Sequence, residues 1–195
     1  MKRIVLIFLA IINIILTNAQ KNELFTDSRD GKTYKTIKIG NQTWMAENLA
    51  YKSGGGSWAW NLDKSNVSIY GYLYNWTTAK KVCPAGWHLP TDKEWKMLID
   101  SVGSDAGKKL KSTTGWINDG NGTDGYGFTA LPGGKGVDLR MFVQFSDLEG
   151  NGYWWTASEN SMRDAVARQI NYSNNYASQS NFEKKYRFSV RCIKD

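Results

Sequence analysis

The chain is poor in the residue types that carry most catalytic and metal chemistry. It holds one histidine, two cysteines and three prolines in 195 residues. No Gly-x-Ser-x-Gly nucleophile elbow is present. No segment repeats at a fixed period, and neither a low-complexity tail nor an internal linker breaks the chain. Basic residues are scattered; the one short run, KKLK from Lys108 to Lys111, reads as a solvated helix face rather than a nucleic-acid stripe. The apolar run from Ile4 to Leu16 covers about 13 residues, short of the ~20 that a membrane-spanning helix requires.

That run follows Lys2 and Arg3 and precedes Thr17-Asn18-Ala19, small residues at the last and third-last positions. The pattern is that of a leader removed after Ala19, with an uncleaved anchor as the alternative. Export places the mature chain in the periplasm, at the cell surface or outside the cell, and no membrane span remains once the leader is cleaved. Removing 19 of the 195 residues leaves 176, enough for one domain with its own core. With Lys2 and Arg3 gone, the formal charge falls from +7 to +5. The expected organisation is a leader over 1–19, a lead segment over 20–32 and one domain over 33–195.

What is present is concentrated in Cys83 to Trp95, CPAGWHLPTDKEW, which contains the only histidine, one cysteine and two prolines. Thr91 and Glu94 have capping-box spacing, and Pro90 keeps Leu89 out of the helical region, so a helix begins at Thr91. Trp95, Leu98, Ile99 and Val102 recur at i, i+3, i+4 and i+7 and give that helix a buried stripe, ending at Gly103. His88, between Trp87 and Leu89, is expected as a packed aromatic of an extended segment. Outside the cytoplasm two cysteines favour a disulfide over a reactive thiol served by His88. Upstream, Tyr34–Ile39 and Gln42–Met45 flank a Gly40-Asn41 turn and predict a hairpin. GYLYNW (71–76) predicts a strand and TTAKKVC, from Thr77, a short capped helix; a weak third helix spans Asp105 to Lys111. YGFTALP, MFVQF, YWWTAS, AVARQINY and YRFSVRC predict further short strands, giving one α+β domain with two or three short helices.

Two constellations could bind a ligand. NDGNGTDGYG, from Asn118 to Gly127, places oxygens of Asp119, Asn121, Thr123 and Asp124 at close spacing, the ligand type calcium prefers; the same composition also builds ordinary turns. Nine tryptophans and ten tyrosines are the second resource. Trp87, Trp95, Trp154 and Trp155 read as core, whereas Trp58, Trp60, Tyr172 and Tyr176 lie outside helical or strand periodicities, beside Gly, Ser and Asn. Flat rings next to amides suit a sugar or a protein partner.

GYLYNW, CPAGWHLPTDKEW, GTDGYGFTALPGG, GYWWTASE and SVRCIKD, in that order, resemble the Fibrobacter succinogenes major paralogous domain family from about Thr33 to Asp195. That family is similar to the C-type-lectin-like fold, echoed here by Trp76-x-x-Ala79-x-x-x-Cys83 with His88-Leu89. It is also similar to the formylglycine-generating enzymes, echoed by Leu89-Pro90-Thr91 with Glu94-Trp95. The resemblance implies a single C-type-lectin-like domain of short antiparallel strands and pairs Cys83 with Cys192. Pairing them leaves no thiol for chemistry of the formylglycine-generating type, and one histidine cannot supply the iron-ligand set of that fold's histidine-ligated enzymes. The Glu-Pro-Asn and Trp-Asn-Asp signatures of calcium-dependent lectins are absent. The expectation is an exported, non-catalytic binding module for a glycan or an extracellular protein, with calcium as the one candidate cofactor. The alternatives are an enzyme on the same fold or a structural envelope component.

Overall fold

The computed structural model describes residues 23–139 and 141–195, so the expected leader lies outside the described residues. In chain order the strands are β1 (Glu23–Thr26), β2 (Thr33–Ile39), β3 (Gln42–Met45), β4 (Ser57–Trp58), β5 (Leu73–Tyr74) and β6 (Trp87–His88). They continue as β7 (Gly133–Leu139), β8 (Phe142–Leu148), β9 (Asn151–Glu159), β10 (Asp164–Asn171), β11 (Ala177–Glu183), β12 (Phe188–Ser189) and β13 (Ile193–Lys194). The helices are short: α1 (Val67–Tyr70), α2 (Trp76–Ala79), α3 (Asp92–Val102) and α4 (Ala106–Leu110). None of the described helices is long and apolar enough to cross a membrane.

Five strands form one sheet in the order β1-β2-β3-β13-β6. The other sheet runs β11-β10-β9-β12-β5-β4, with the β7–β8 hairpin joined through a parallel bridge from Gly134 to Gly152. Strand β1 lies in the segment that the sequence reading places ahead of the domain, and it pairs in register with β2. The β2–β3 hairpin forms as its sequence predicts, turning at Gly40, whose φ of +58° favours glycine.

Strand β9 separates the two apolar cores. Successive side chains point to opposite faces of a strand, so Tyr153 and Trp155 enter one cluster with Tyr74, Trp76 and Phe188. Trp154, between them, enters the other with Trp44, Trp95 and Phe128. Both tryptophans are fully buried. The first cluster also holds Val190 and Cys192, and the second holds Ile193. One short terminal segment thus contributes to both cores.

Several local expectations change. Helix α2 begins at Trp76 rather than Thr77, because Asn75 accepts from Thr78 N at 2.9 Å and supplies the cap. The GYLYNW strand shrinks accordingly to Leu73–Tyr74. YGFTALP is not a strand: Thr129 has φ +52°, a left-handed residue that interrupts an extended run, and only Ala130 bridges to Lys111. In YRFSVRC only Phe188–Ser189 is laddered before β13 begins.

The Cys83–Trp95 corner forms around the expected cap. Thr91 Oγ1 accepts from Glu94 N, and Glu94 Oε2 accepts from Thr91 N at 2.7 Å, the reciprocal capping box. Trp95, Leu98 and Val102 are buried, and Gly103 ends the helix. Cys83 and Cys192 form a disulfide with Cα atoms 5.9 Å apart. His88 departs from expectation. Trp87 and Leu89 are buried, and alternation turns the imidazole between them outward, leaving its side chain 40% exposed. Its Nδ1 lies 2.6 Å from Asp195 Oδ1 and its Nε2 2.9 Å from Glu94 Oε1. Burial works against the charged imidazole, but bonds to Asp195 and Glu94 outweigh it, and the pKa is raised above the usual histidine value.

Two outcomes follow. Non-reduced peptide mapping should recover Cys83 linked to Cys192. Since the pair spans 109 residues, replacing both with serine should lower stability by roughly 2–5 kcal/mol in denaturant titration. A histidine with a raised folded-state pKa stabilises below its unfolded pKa of about 6.5, and the gain is lost as pH climbs through the folded value. Wild type should therefore exceed His88→Gln in stability near pH ~5.5, by about 1 kcal/mol or less for so exposed a pair, and match it near pH ~8.5.

Candidate functional site

Trp58 and Trp60 come together on the β7–β8 hairpin. Ser57–Trp58 forms β4 against β5, with Trp58 opposite Leu73, and the next residue, Ala59, is buried. This short strand holds both flanking indoles half-exposed at the sheet margin. The Arg187 guanidinium lies 3.5 Å from the Trp58 ring centroid, a cation–π stack. Arg187 is anchored on both sides. Its backbone exchanges hydrogen bonds with Gly136, at 3.0 and 2.8 Å, and its Nη2 donates to Asp138. Its Nε and Nη1 are buried without a hydrogen-bond partner among the described residues. The Trp60 ring packs 6.0 Å from Phe145, and its Nε1 points at the Ser146 carbonyl.

Glycine makes this approach possible. A Cβ on Gly136 would meet the Phe145 ring at 3.1 Å and Arg187 Cδ at 3.3 Å. Gly134, with φ +63°, would place one 2.5 Å from the Ser146 carbonyl oxygen. Beyond the indoles the hairpin ends in apolar side chains that cover nothing: Met141 is 95% and Phe142 64% exposed, with Leu139 beside them. The hairpin thus carries an apolar tip, packs Phe145 against Trp60 and, through Gly136, holds the Arg187 that stacks on Trp58. Such a surface suits recognition through apolar contact.

The other two candidate rings lie on the β10–β11 connection. Tyr172 packs against the second core cluster, and its Cδ1 would touch a Cβ placed on Gly150 at 3.8 Å. Tyr176 is 71% exposed and stands alone. The Lys111 ammonium is hydrogen-bonded to the carbonyls of Asn171, Tyr172 and Asn174, which fixes the turn between them. Burial lowers the Lys111 pKa, with the Lys108 charge adding to it.

The Asn118–Gly127 loop uses part of its oxygen set on the residues that flank it. Asn121 Oδ1 accepts from Trp116 N at 3.0 Å, and Asp124 accepts from Thr129 N at 2.7 Å and Thr129 Oγ1 at 2.8 Å. Asp119 and Thr123 remain exposed. Among the described residues, no three His, Cys, Asp or Glu side chains converge as a metal site would need. At His88 both ring nitrogens are engaged by carboxylates, and Glu94 is shared with the helix cap.

Sequence reasoning singled out Trp58 and Trp60 but not what covers them. Phe142 to Phe145 was legible as a strand, whereas its partner GGKGVDL carries no alternation to read. Arg187, buried within an aromatic-rich segment, had no local signal; its role exists only once the hairpin is placed.

No curated protein and no solved structure matches the chain. The model of one family does, across residues 37–194, and that span contains the hairpin, both cysteines and the capped corner. The chain belongs to the Fibrobacter succinogenes major domain family.

Proposed function

We propose that the chain is an exported, non-catalytic binding module of C-type-lectin-like architecture that recognises a glycan or an extracellular protein. The observation that carries this reading is the β7–β8 hairpin, which sets Trp58 over Arg187 and Trp60 against Phe145 and presents Met141 and Phe142 uncovered. Exposed apolar side chains cost solubility and are retained where a partner covers them. The lectin-like architecture is supported by the two sheets and by the bond from Cys83, just past α2, to Cys192 in the terminal segment. The binding role is supported further by how the reactive residue types are used: both cysteines in the disulfide, His88 between two carboxylates.

A glycan array and a panel of purified surface proteins, each probed with calcium and with chelator, test the target class and the part of the Asn118–Gly127 loop together. Met141→Ser and Phe142→Ser should weaken whatever interaction is found by about 1 kcal/mol or more while the melting temperature stays unchanged, as for interface anchors. Trp58→Ala should weaken it as well and also lower the melting temperature, because Arg187 loses its stacking face. Undiminished binding by all three variants overturns the assignment of this face.

A further inference from the structure

We propose that the chain carries a second site, a cleft for an acidic saccharide, formed where the Asp27–Gly31 turn, the Tyr51–Gly56 loop and α2 meet; it rests on the binding-module reading above. The cleft has a volume of about 470 Å³. That is within the ~300–1,000 Å³ of small-molecule sites and far more than a bare anion fills. Its polar lining is two cations, Arg29 and Lys81, and the hydroxyls of Ser53, Thr77 and Thr78, over the Tyr51 ring. No carboxylate lines it. Hydroxyls that can donate and accept suit the hydroxyls of a sugar, and an ammonium with no carboxylate beside it favours one that is negatively charged.

Each wall is fixed before any ligand arrives. Asp27 is fully buried and grips Arg29 through Nε and Nη2, while Arg29 Nη1 donates to the Val82 carbonyl at 2.8 Å. That grip lays the guanidinium flat over Tyr51, 3.8 Å from the ring centroid, with part of it open to solvent. Side-chain bonding to Arg29 holds Asp27 below the usual carboxylate range, so this pair is balanced. The Lys81 charge is not balanced: it forms no ion pair among the described residues, and it is exposed, as are its neighbours Lys80 and Lys52. The glycine loop is seated on α2, since a Cβ on Gly56 would overlap Thr78 Oγ1 at 1.9 Å, and Asn75 caps the same turn. Hydroxyls on a rigid rim and one excess cation fit a sugar bearing a carboxylate or sulfate, not a neutral one.

Calorimetric titration at low ionic strength tests this with trigalacturonate, a sulfated disaccharide, neutral galactotriose and sodium sulfate as separate probes. The expected result is binding of at least one acidic sugar, weakened about tenfold by Lys81→Glu with an unchanged melting temperature, and weakened further by added salt. Three results overturn the proposal: no acidic sugar binding up to about 10 mM, galactotriose binding equally well, or indifference to Lys81→Glu. Sodium sulfate binding as tightly as the sugars overturns the saccharide assignment. The two readings fail separately, because a protein that captures a partner through Met141 and Phe142 yet ignores every acidic sugar rejects the cleft alone.

Discussion

A buried guanidinium holds the two cores together. Arg191 is completely buried and forms no ion pair among the described residues; it donates to the carbonyls of Phe128 and Thr129 and, at 2.9 Å, to Asn48 Oδ1. The same Asn48 oxygen accepts from Trp154 Nε1 at 2.8 Å, and its amide nitrogen donates to the Tyr70 carbonyl. Burial lowers the Arg191 pKa to about 9, which leaves it charged at neutral pH. A charge removed from water is costly unless its donors are met, and here carbonyl dipoles and the Phe128 ring, 4.3 Å away, meet most of them. Three distant parts of the chain, around Asn48, Phe128–Thr129 and Trp154, converge on this one cation. Removing either acceptor group leaves part of this buried charge unmet.

Local rules wrote the parts of the fold that the sequence made legible. The Thr91–Glu94 box, the Gly103 stop and the Gly40 turn each depend on residues within a few positions, and each formed as its chemistry requires. Local reading held equally for YWWTAS and AVARQINY, which form strands β9 and β10. It failed where long-range contacts overrode it. Thr129 is turned left-handed by Asp124, and β7 is a strand through pairing with β8 although three of its first four residues are glycine. His88 was misread by sequence adjacency alone; period two, applied strictly, would have turned it away from Trp87 and Leu89.

The candidate site was legible in its rings and not in its frame. Trp58 and Trp60 announce themselves by standing in a glycine-rich stretch with no periodicity. Arg187, Gly136 and Phe145 become partners only through a single antiparallel bridge between segments some fifty residues apart, at Gly136 and Arg187, and no window along the chain contains both. The same holds for the cleft: Asp27 fixes Arg29 locally, but Lys81 and Ser53 reach it through tertiary packing. Recognition surfaces of this kind are assembled by topology, and composition names only their ingredients.

The placement of the last strands has a consequence for biogenesis. β12 lies between β9 and β5, and β13 between β3 and β6, so residues 188–194 fill an interior position in both sheets. A chain that emerges amino end first has neither sheet continuous until this segment follows. Until then β3 and β9 each present an unpaired edge, and Arg191 and Cys192 are missing from the centre. Sheet closure by such distant pairing is slow and leaves sticky edges in the interval. The order of strands therefore delays closure of both sheets until the last residues are available, and makes protection of the open edges the critical step in that interval.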